Sequence, residues 1–326
     1  MSLKRILFLS LMLLLLCSSA FAATEKDIHE SGFRDFNWGE SLDSLQQKGS
    51  QFTEYGFDNH KKLYTYMRFA DSYSIYGTGC YPIYYYFWDG KLVAVRTYFN
   101  AESDSDAFQR LYNAIVVDFG VSQKLPSRTN DEETLSWQVR QTTVRMTYSM
   151  LTKAGSLYLF NSKLQTDYAA FLKTLPVEPP VYQNQPDGFN SISWGAVMKD
   201  LQAQDKKFKA NKKEAILGDY TLDKDENTFL GLPVIRKTYS FWQKQFCAAY
   251  VYYQSNDEKS TFNSLYEKLC AQHGEPLQGR YSEADRAYQY IWPGDVTYIM
   301  LYHFPNQKES YIFFASKELY DQQSAK

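Results

Sequence analysis

The chain has 326 residues, enough for one large domain or two of medium size. With 44% hydrophobic and 22% charged residues it is not a disordered chain, and a formal net charge of −2 excludes the basic excess of a dedicated nucleic-acid-binding protein. Aromatic residues make up 17% of the chain, with 28 Tyr and 22 Phe. This bias favours β-sheet, because flat rings pack well on a pleated surface.

The first predicted element is a leader. Lys4 and Arg5 precede an apolar run over residues 6–17, and the Ala-Phe-Ala sequence at 20–22 has the small residues that signal peptidase requires. We therefore expect a signal peptide at 1–22 and a periplasmic or secreted bacterial protein without a transmembrane segment after cleavage. Removal of the leader leaves 33 basic and 37 acidic residues, a net charge of −4.

Two alternatives to cleavage are disfavoured. A retained membrane anchor would need a longer apolar run, and charged residues begin at Glu25. Lipidation at Cys17 would need a small residue immediately before the cysteine, where the chain has Leu16.

An internal repeat organises the rest of the chain. Residues 36–45 and 192–201 share a Trp-Gly pair followed by two apolar residues at helical spacing, with an offset of 156. From residue 63 to 163 the offset is a constant 154, and it matches Gly77 with Gly231, Phe87-Trp88 with Phe241-Trp242, Tyr98 with Tyr252, Phe108 with Phe262, Gly120 with Gly274 and Tyr148 with Tyr302. A repeat of this length indicates duplication of a whole domain.

The repeat and the prolines between its copies predict the domain boundaries. We expect a lead-in at 23–32, a first unit at 33–164, a short helix and proline-rich linker at 165–188, a second unit at 189–320 and a tail at 321–326.

The elements follow the same order in each unit. A short helix follows Trp-Gly, a strand comes next at 64–69 or 217–222, and a hairpin follows at 83–99 or 235–253. A second helix ends at Gly120 or Gly274, and two or three final strands close the unit. The pattern predicts an α+β fold of two tandem homologous units, each an antiparallel sheet with two helices on one face (αβββαβββ).

The hairpin turn predicts which side chains share a face. A two-residue turn at Asp89-Gly90 places Tyr85 opposite Ala94, on the same side as Arg96 and Tyr98. If this side is open, each unit carries an aromatic binding surface, since Tyr and Arg are enriched at interfaces. The candidate binding residues are Tyr85, Arg96, Tyr98, Tyr239, Tyr250 and Tyr252. The alternative is that the same rings are core residues.

Other candidate chemistry is sparse. Cys247 and Cys270 are a candidate disulfide, with two buried thiols as the alternative. The four histidines have no metal-ligand spacing, and the sequence has no nucleophile, phosphate-loop or dinucleotide motif. We therefore expect no catalytic residue, no metal and no cofactor.

The Phe-x-Trp-Gly entry into a short helix at Phe36, Trp38 and Gly39, and its second copy at Trp194 and Gly195, resembles a group of uncharacterised exported bacterial proteins. Those proteins continue with a Tyr- and Phe-rich hairpin and a helix that ends in Gly. The tandem arrangement is also similar in outline to the β-lactamase inhibitor protein family of secreted inhibitors, at the level of the fold alone.

These observations favour an exported binding or interaction protein that acts through aromatic sheet faces on an unknown protein or envelope component, and not on nucleic acid. The alternatives are an envelope hydrolase with its site between the two units, and a binder of a small ligand or polysaccharide.

Overall fold

A computed structural model describes residues 26–127, 129–204, 206–213, 217–254 and 260–324. The predicted signal peptide and Cys17 lie outside the described residues. The chain contacts divide the protein into two compact units. The first comprises residues up to Phe52 and Met67–Ala170, and the second comprises Thr53–Tyr66 and the residues from Phe171 onward.

The elements up to residue 174 begin with a small three-stranded sheet and end with a helix. In chain order they are β1 (Ile28–His29), β2 (Gly32–Phe33), β3 (Phe36–Asn37), α1 (Leu42–Gln47), β4 (Phe52–Asp58), β5 (Leu63–Arg68), β6 (Ser74–Ile75), β7 (Thr78–Gly79), β8 (Ile83–Trp88), β9 (Lys91–Asn100), α2 (Ala107–Phe119), β10 (Gln123–Leu125), β11 (Glu132–Val139), β12 (Thr142–Ser149), β13 (Ala154–Asn161) and α3 (Ser162–Thr174).

The elements after the linker follow a closely similar order. They are β14 (Gly188–Phe189), β15 (Ile192–Ser193), α4 (Met198–Ala203), β16 (Phe208–Lys213), β17 (Leu217–Leu222), β18 (Thr228–Phe229), β19 (Leu232–Pro233), β20 (Arg236–Trp242), β21 (Gln245–Gln254), α5 (Ser260–His273), β22 (Gln278–Ser282), β23 (Ala287–Trp292), β24 (Thr297–Phe304), a 3₁₀ turn (Pro305–Gln307), β25 (Glu309–Ser316) and α6 (Lys317–Ser324).

The predicted fold class, α+β with two tandem αβββαβββ units, is wrong. The protein is mainly β: the described residues form 25 strands and six α-helices, and 16 of the strands belong to one large antiparallel sheet. In the first unit β10-β11-β12-β13-β9-β8 are consecutive neighbours, and in the second β4-β22-β23-β24-β25-β21-β20-β17-β16 are.

The prediction failed because alternation in a sequence does not show which strand pairs with which. The backbone groups of an edge strand can pair with any exposed edge. Here β4 pairs with β22 through Phe57 opposite Gly279 and Asp58 opposite Gln278, which extends the sheet beyond a single repeat. In the second unit the helices also lie on both faces, because Leu319 of α6 packs on the side opposite to the one that α5 covers.

The core of the second unit defines the two faces of the sheet. In the second unit we call the side on which α5 packs the inner face and the opposite side the outer face. In the first unit the inner face is the side on which Tyr112 of α2 packs against Trp137, and the outer face is the opposite side. Leu265 and Leu269 of α5 are fully buried in a cluster with Val251, Leu301 and Ile312 from three neighbouring strands. Alternation along each strand then places every second residue on the outer face.

The Trp-Gly pair has a structural role in each unit. Trp38 donates from Nε1 to Oγ1 of Thr142 at 2.7 Å, and Gly39 adopts a φ of +84°, a backbone region that favours glycine. The same contact recurs in the second unit, where Trp194 donates to Thr297 at 2.6 Å. The duplication that such shared contacts suggest stays a prediction.

A β-bulge changes the register of both hairpins. The turn forms at Asp89-Gly90 as predicted, with positive φ at both residues. Two residues further on the pairing shifts, so that Phe87 lies opposite Leu92 but Tyr86 lies opposite Ala94, with Val93 as the extra residue. The second hairpin shifts in the same way around Cys247. Since a one-residue slip moves side chains to the other face, the bulge separates residues that the simple turn would group.

Candidate functional site

The face predicted for Tyr85 and Tyr239 is wrong, because the bulge turns both rings into the core. Tyr85 lies opposite Val95 and Tyr239 lies opposite Ala249, and both tyrosines are 0% exposed. The alternative reading of these two rings as core residues is therefore correct. The other four candidates lie on the outer face.

Each buried tyrosine belongs to a polar network. The Tyr85 hydroxyl donates to Asp71 Oδ2 at 2.7 Å, and Asp71 forms an ion pair with Arg34. The remaining donors of Arg34 reach Asp27 and the carbonyl oxygens of Ser72 and Ser74. Each charged group has a partner of opposite charge, as a buried charge must have if it is not to destabilise the fold.

The second unit has an equivalent network with different residues. The Tyr239 hydroxyl donates to Asp225 Oδ2 at 2.7 Å and accepts from Asn190 at 2.8 Å. Lys237, whose side chain is 2% exposed, completes the network with a 3.1 Å ion pair to Asp225. Because the members satisfy one another, we assign both networks to stability and not to ligand binding.

A cavity of about 650 Å³ in the first unit opens beside the Arg34 network. Its charged wall is also internally paired, since Arg68 forms two hydrogen bonds with the Asp35 carboxylate at 2.7 and 2.8 Å and lies 4.5 Å above the Phe36 ring. A ligand here would have to displace these contacts, so this cavity is a weaker candidate than the outer face.

Two rows of side chains cross the outer face of the first unit. The first, which we call the Arg–Tyr–Arg row, consists of Arg145 on β12, Tyr158 on β13 and Arg96 on β9, directly opposite one another. Because neighbouring strands are about 4.8 Å apart, the backbones of the two arginines are about 10 Å apart.

The second row lies two residues further along the same strands. We call it the hydroxyl row, and its members are Thr134, Thr147, Ser156 and Tyr98. Both rows line one groove of about 800 Å³. The groove thus combines two cations, two tyrosines and three aliphatic hydroxyls on rigid strands.

The two arginines are exposed and have no carboxylate partner among the described residues. Arg96 lies 5.1 Å from the centre of the Tyr98 ring and Arg145 lies 5.5 Å from that of Phe160, so cation–π contacts orient both guanidinium groups. Burial raises the pKa of Tyr158, while the positive charges of both arginines act in the opposite direction. Tyr158 donates its hydroxyl to Gln165 at 3.2 Å.

The second unit has no cation at the positions that correspond to Arg96 and Arg145; its exposed Arg236 lies instead opposite Tyr252, 4.0 Å from the centre of that ring. The strand register places Met300, Phe313 and Tyr250 where the first unit has Arg145, Tyr158 and Arg96. The offset is therefore 155 at Arg145 and Tyr158, and the constant offset of 154 that the sequence predicted up to residue 163 is wrong for these strands. The neighbouring row is Tyr302, Tyr311 and Tyr252, with the first two rings stacked at 4.5 Å. Tyr250 and Tyr252, both predicted binding residues, lie half-buried in this aromatic surface.

Sequence analysis identified Arg96 and Tyr98 but missed Arg145 and Tyr158. Period-two alternation could have found both. Arg145 stands between the buried Val144 and Met146, and Tyr158 stands between two buried leucines, so each had to face away from the core.

The candidate disulfide is not formed: Cys247 and Cys270 are free, as is Cys80. Cys247 is the extra residue of its bulge and packs in the outer-face cluster, whereas Cys270 packs against the inner-face core. Burial raises the pKa of Cys247 to about 11 and that of Cys270 to about 12, so both thiols are protonated at neutral pH.

Within the described ranges, no group of three His, Cys, Asp or Glu side chains is placed to hold a metal ion. None of the helices in the same ranges has the length and apolar character needed to span a membrane. Comparison with known proteins gives no match: no family model, curated protein or solved structure is similar to this chain.

Proposed function

We propose that the protein is an exported bacterial binding protein, and that the outer face of its first unit holds the ligand. The export follows from the leader sequence at 1–22, and the binding role from the groove. One observation carries the proposal: Arg96 and Arg145 flank Tyr158 on one face of the sheet, over aromatic rings, without a carboxylate partner in the described part of the chain.

Structural arginines are usually paired, as Arg34 and Arg68 are in this same unit. An exposed guanidinium that is oriented but unpaired retains its donors for another molecule. The strands that carry Arg96 and Arg145 fix their backbones, so little ordering is needed on binding.

The groove supports binding over hydrolysis. The two-carboxylate route to glycoside cleavage needs a pair of acidic groups on either side of the bond. Glu132 is the single carboxylate among the described lining residues, and no histidine lines the groove.

The test uses the mature protein and a set of immobilised envelope fractions: proteins, lipids and polysaccharides kept separate. The variant Arg96→Tyr/Arg145→Met introduces the residues that the second unit has at the same positions, so it should fold. We expect at least one fraction to retain the native protein and to lose the variant. Equal retention of both proteins by every fraction, or retention by none, would overturn the proposal.

A further inference from the structure

From the spacing and chemistry of the groove, we infer that its ligand is an acidic glycan, whose carboxylates or sulfates bind Arg96 and Arg145 and whose sugar hydroxyls bind the hydroxyl row. This inference rests on the proposed function and names the ligand class of that site. It accounts for the two rows together, whereas a small anion bound to the arginines would leave the hydroxyl row without a ligand.

Charge complementarity is the first argument. The protein after cleavage carries a net charge of −4, so a polyanion is repelled by most of its surface and attracted where cations are locally unpaired. Arg96 and Arg145 form such a place, and Glu132 is the one described lining residue that opposes them. Their planar donor forks match carboxylate and sulfate groups.

Spacing is the second argument. The backbones of Arg145 and Arg96 are about 10 Å apart, with Tyr158 between them. Acidic groups on separate residues of a polymer can reach both arginines, while the Tyr158 ring provides a surface for the sugar between them.

The hydroxyl row is the third argument. Thr134, Thr147 and Ser156 lie opposite one another on three neighbouring strands. Tyr98, which is 37% exposed, lies opposite Ser156 and ends the row. Hydroxyl groups both donate and accept, as the hydroxyls of a sugar do, so this row suits a glycan better than an acyl chain or a stretch of apolar peptide.

The face of the second unit supplies an internal contrast. At the positions that correspond to Arg145, Tyr158 and Arg96 it has Met300, Phe313 and Tyr250, none of which is charged. Replacing Arg145 with Met and Arg96 with Tyr therefore converts the charged row to a pattern that this fold already accepts, which separates loss of binding from loss of folding.

The experiment compares three soluble polymers by titration: polygalacturonate, the same polymer with its carboxyl groups reduced to alcohols, and inorganic polyphosphate. We expect polygalacturonate to bind the native protein and the reduced polymer to bind at least tenfold more weakly. The Arg96→Tyr/Arg145→Met variant should lose at least tenfold in affinity for the acidic polymer, and added salt should weaken the native complex.

A charge-matched control is Lys207→Ser/Lys209→Ser, which removes two exposed lysines from the second unit and should retain native affinity. An equal loss in this control would show nonspecific attraction and overturn the inference. Equal binding of the acidic and reduced polymers, preference for polyphosphate, or binding of no polymer would also overturn it. In each of these cases an envelope fraction that retains the native protein but not the Arg96→Tyr/Arg145→Met variant would leave the proposed binding function intact. If no fraction distinguished the two proteins, both the inference and the proposed function would be refuted.

Discussion

Removal of the Tyr85 hydroxyl should destabilise the first unit, although the ring itself stays in place. In the native protein this hydroxyl donates to the buried carboxylate of Asp71 at 2.7 Å, and Asp71 also pairs with Arg34. The variant Tyr85→Phe keeps the aromatic contacts with Phe33, Phe36 and Phe52 and removes only the donor.

The cost can be worked out from the chemistry of the bond. A buried hydrogen bond to a charged group contributes about 2 kcal/mol, and the carboxylate would lose a donor that water cannot replace. For a unit of this size that loss corresponds to a fall in Tm of about 4–8 °C. Tyr85→Ser should cost more, about 4 kcal/mol in addition, because it also leaves a cavity where a fully buried ring was.

Thermal unfolding followed by circular dichroism measures the effect. Tyr98→Phe is the matched control: Tyr98 is 37% exposed on the outer face, so its replacement should change the Tm by less than about 2 °C. If Tyr85→Phe and Tyr98→Phe had the same Tm as the native protein, Tyr85 would not be the buried donor that the register of β8 and β9 makes it.

Three further outcomes test other parts of the structure. Lys237→Met should destabilise the second unit by about 3–5 kcal/mol in chemical unfolding, because it leaves the Asp225 carboxylate without its cation; an unchanged unfolding midpoint would contradict the buried pair. Cys80 and Cys247, whose pKa values burial raises to about 12 and about 11, should react with iodoacetamide at pH 8 at least tenfold more slowly in the folded than in the unfolded protein, as mass spectrometry would show; equal rates would refute their burial. Burial also raises the pKa of Tyr86 to about 12, so as the pH rises this hydroxyl loses its proton in the unfolded state before it does so in the folded state. The free energy of unfolding should therefore fall as the pH rises from about 9 to 12, and a free energy that stayed constant over this range would contradict the burial of Tyr86.

Local patterns in the sequence predicted local structure well. The Asp89-Gly90 turn forms because both residues accept a positive φ, and Leu111 and Ile115 are fully buried on the helix that their spacing predicts. These features depend on neighbours in the chain, which a sequence displays directly.

Those local patterns could not predict which distant strands pair with one another. The extra residue Val93 is apolar, as are its neighbours Leu92 and Ala94, so nothing in the sequence marks it as a bulge. Yet that one residue reverses the face of Tyr85 relative to Arg96. The pairing of β4 with β22, on which the size of the sheet depends, joins residues more than 200 positions apart.

The sequence predicted two of the four main residues of the candidate site. Arg96 and Tyr98 were identified because they lie in the hairpin, whose geometry could be argued. Arg145 and Tyr158 lie on strands whose order was unknown, and only the pairing of β12, β13 and β9 brings them beside Arg96.

Chemical modification of the arginines tests the central claim most directly. Phenylglyoxal reacts with exposed guanidinium groups. Mass spectrometry can measure the extent of modification at each arginine, with the protein free and with the protein bound to an envelope fraction. The outer face of the first unit as binding site predicts that the fraction protects Arg96 and Arg145 and leaves the exposed Arg286 of the second unit equally reactive. Unchanged modification of Arg96 and Arg145 in the presence of a bound fraction would contradict that assignment.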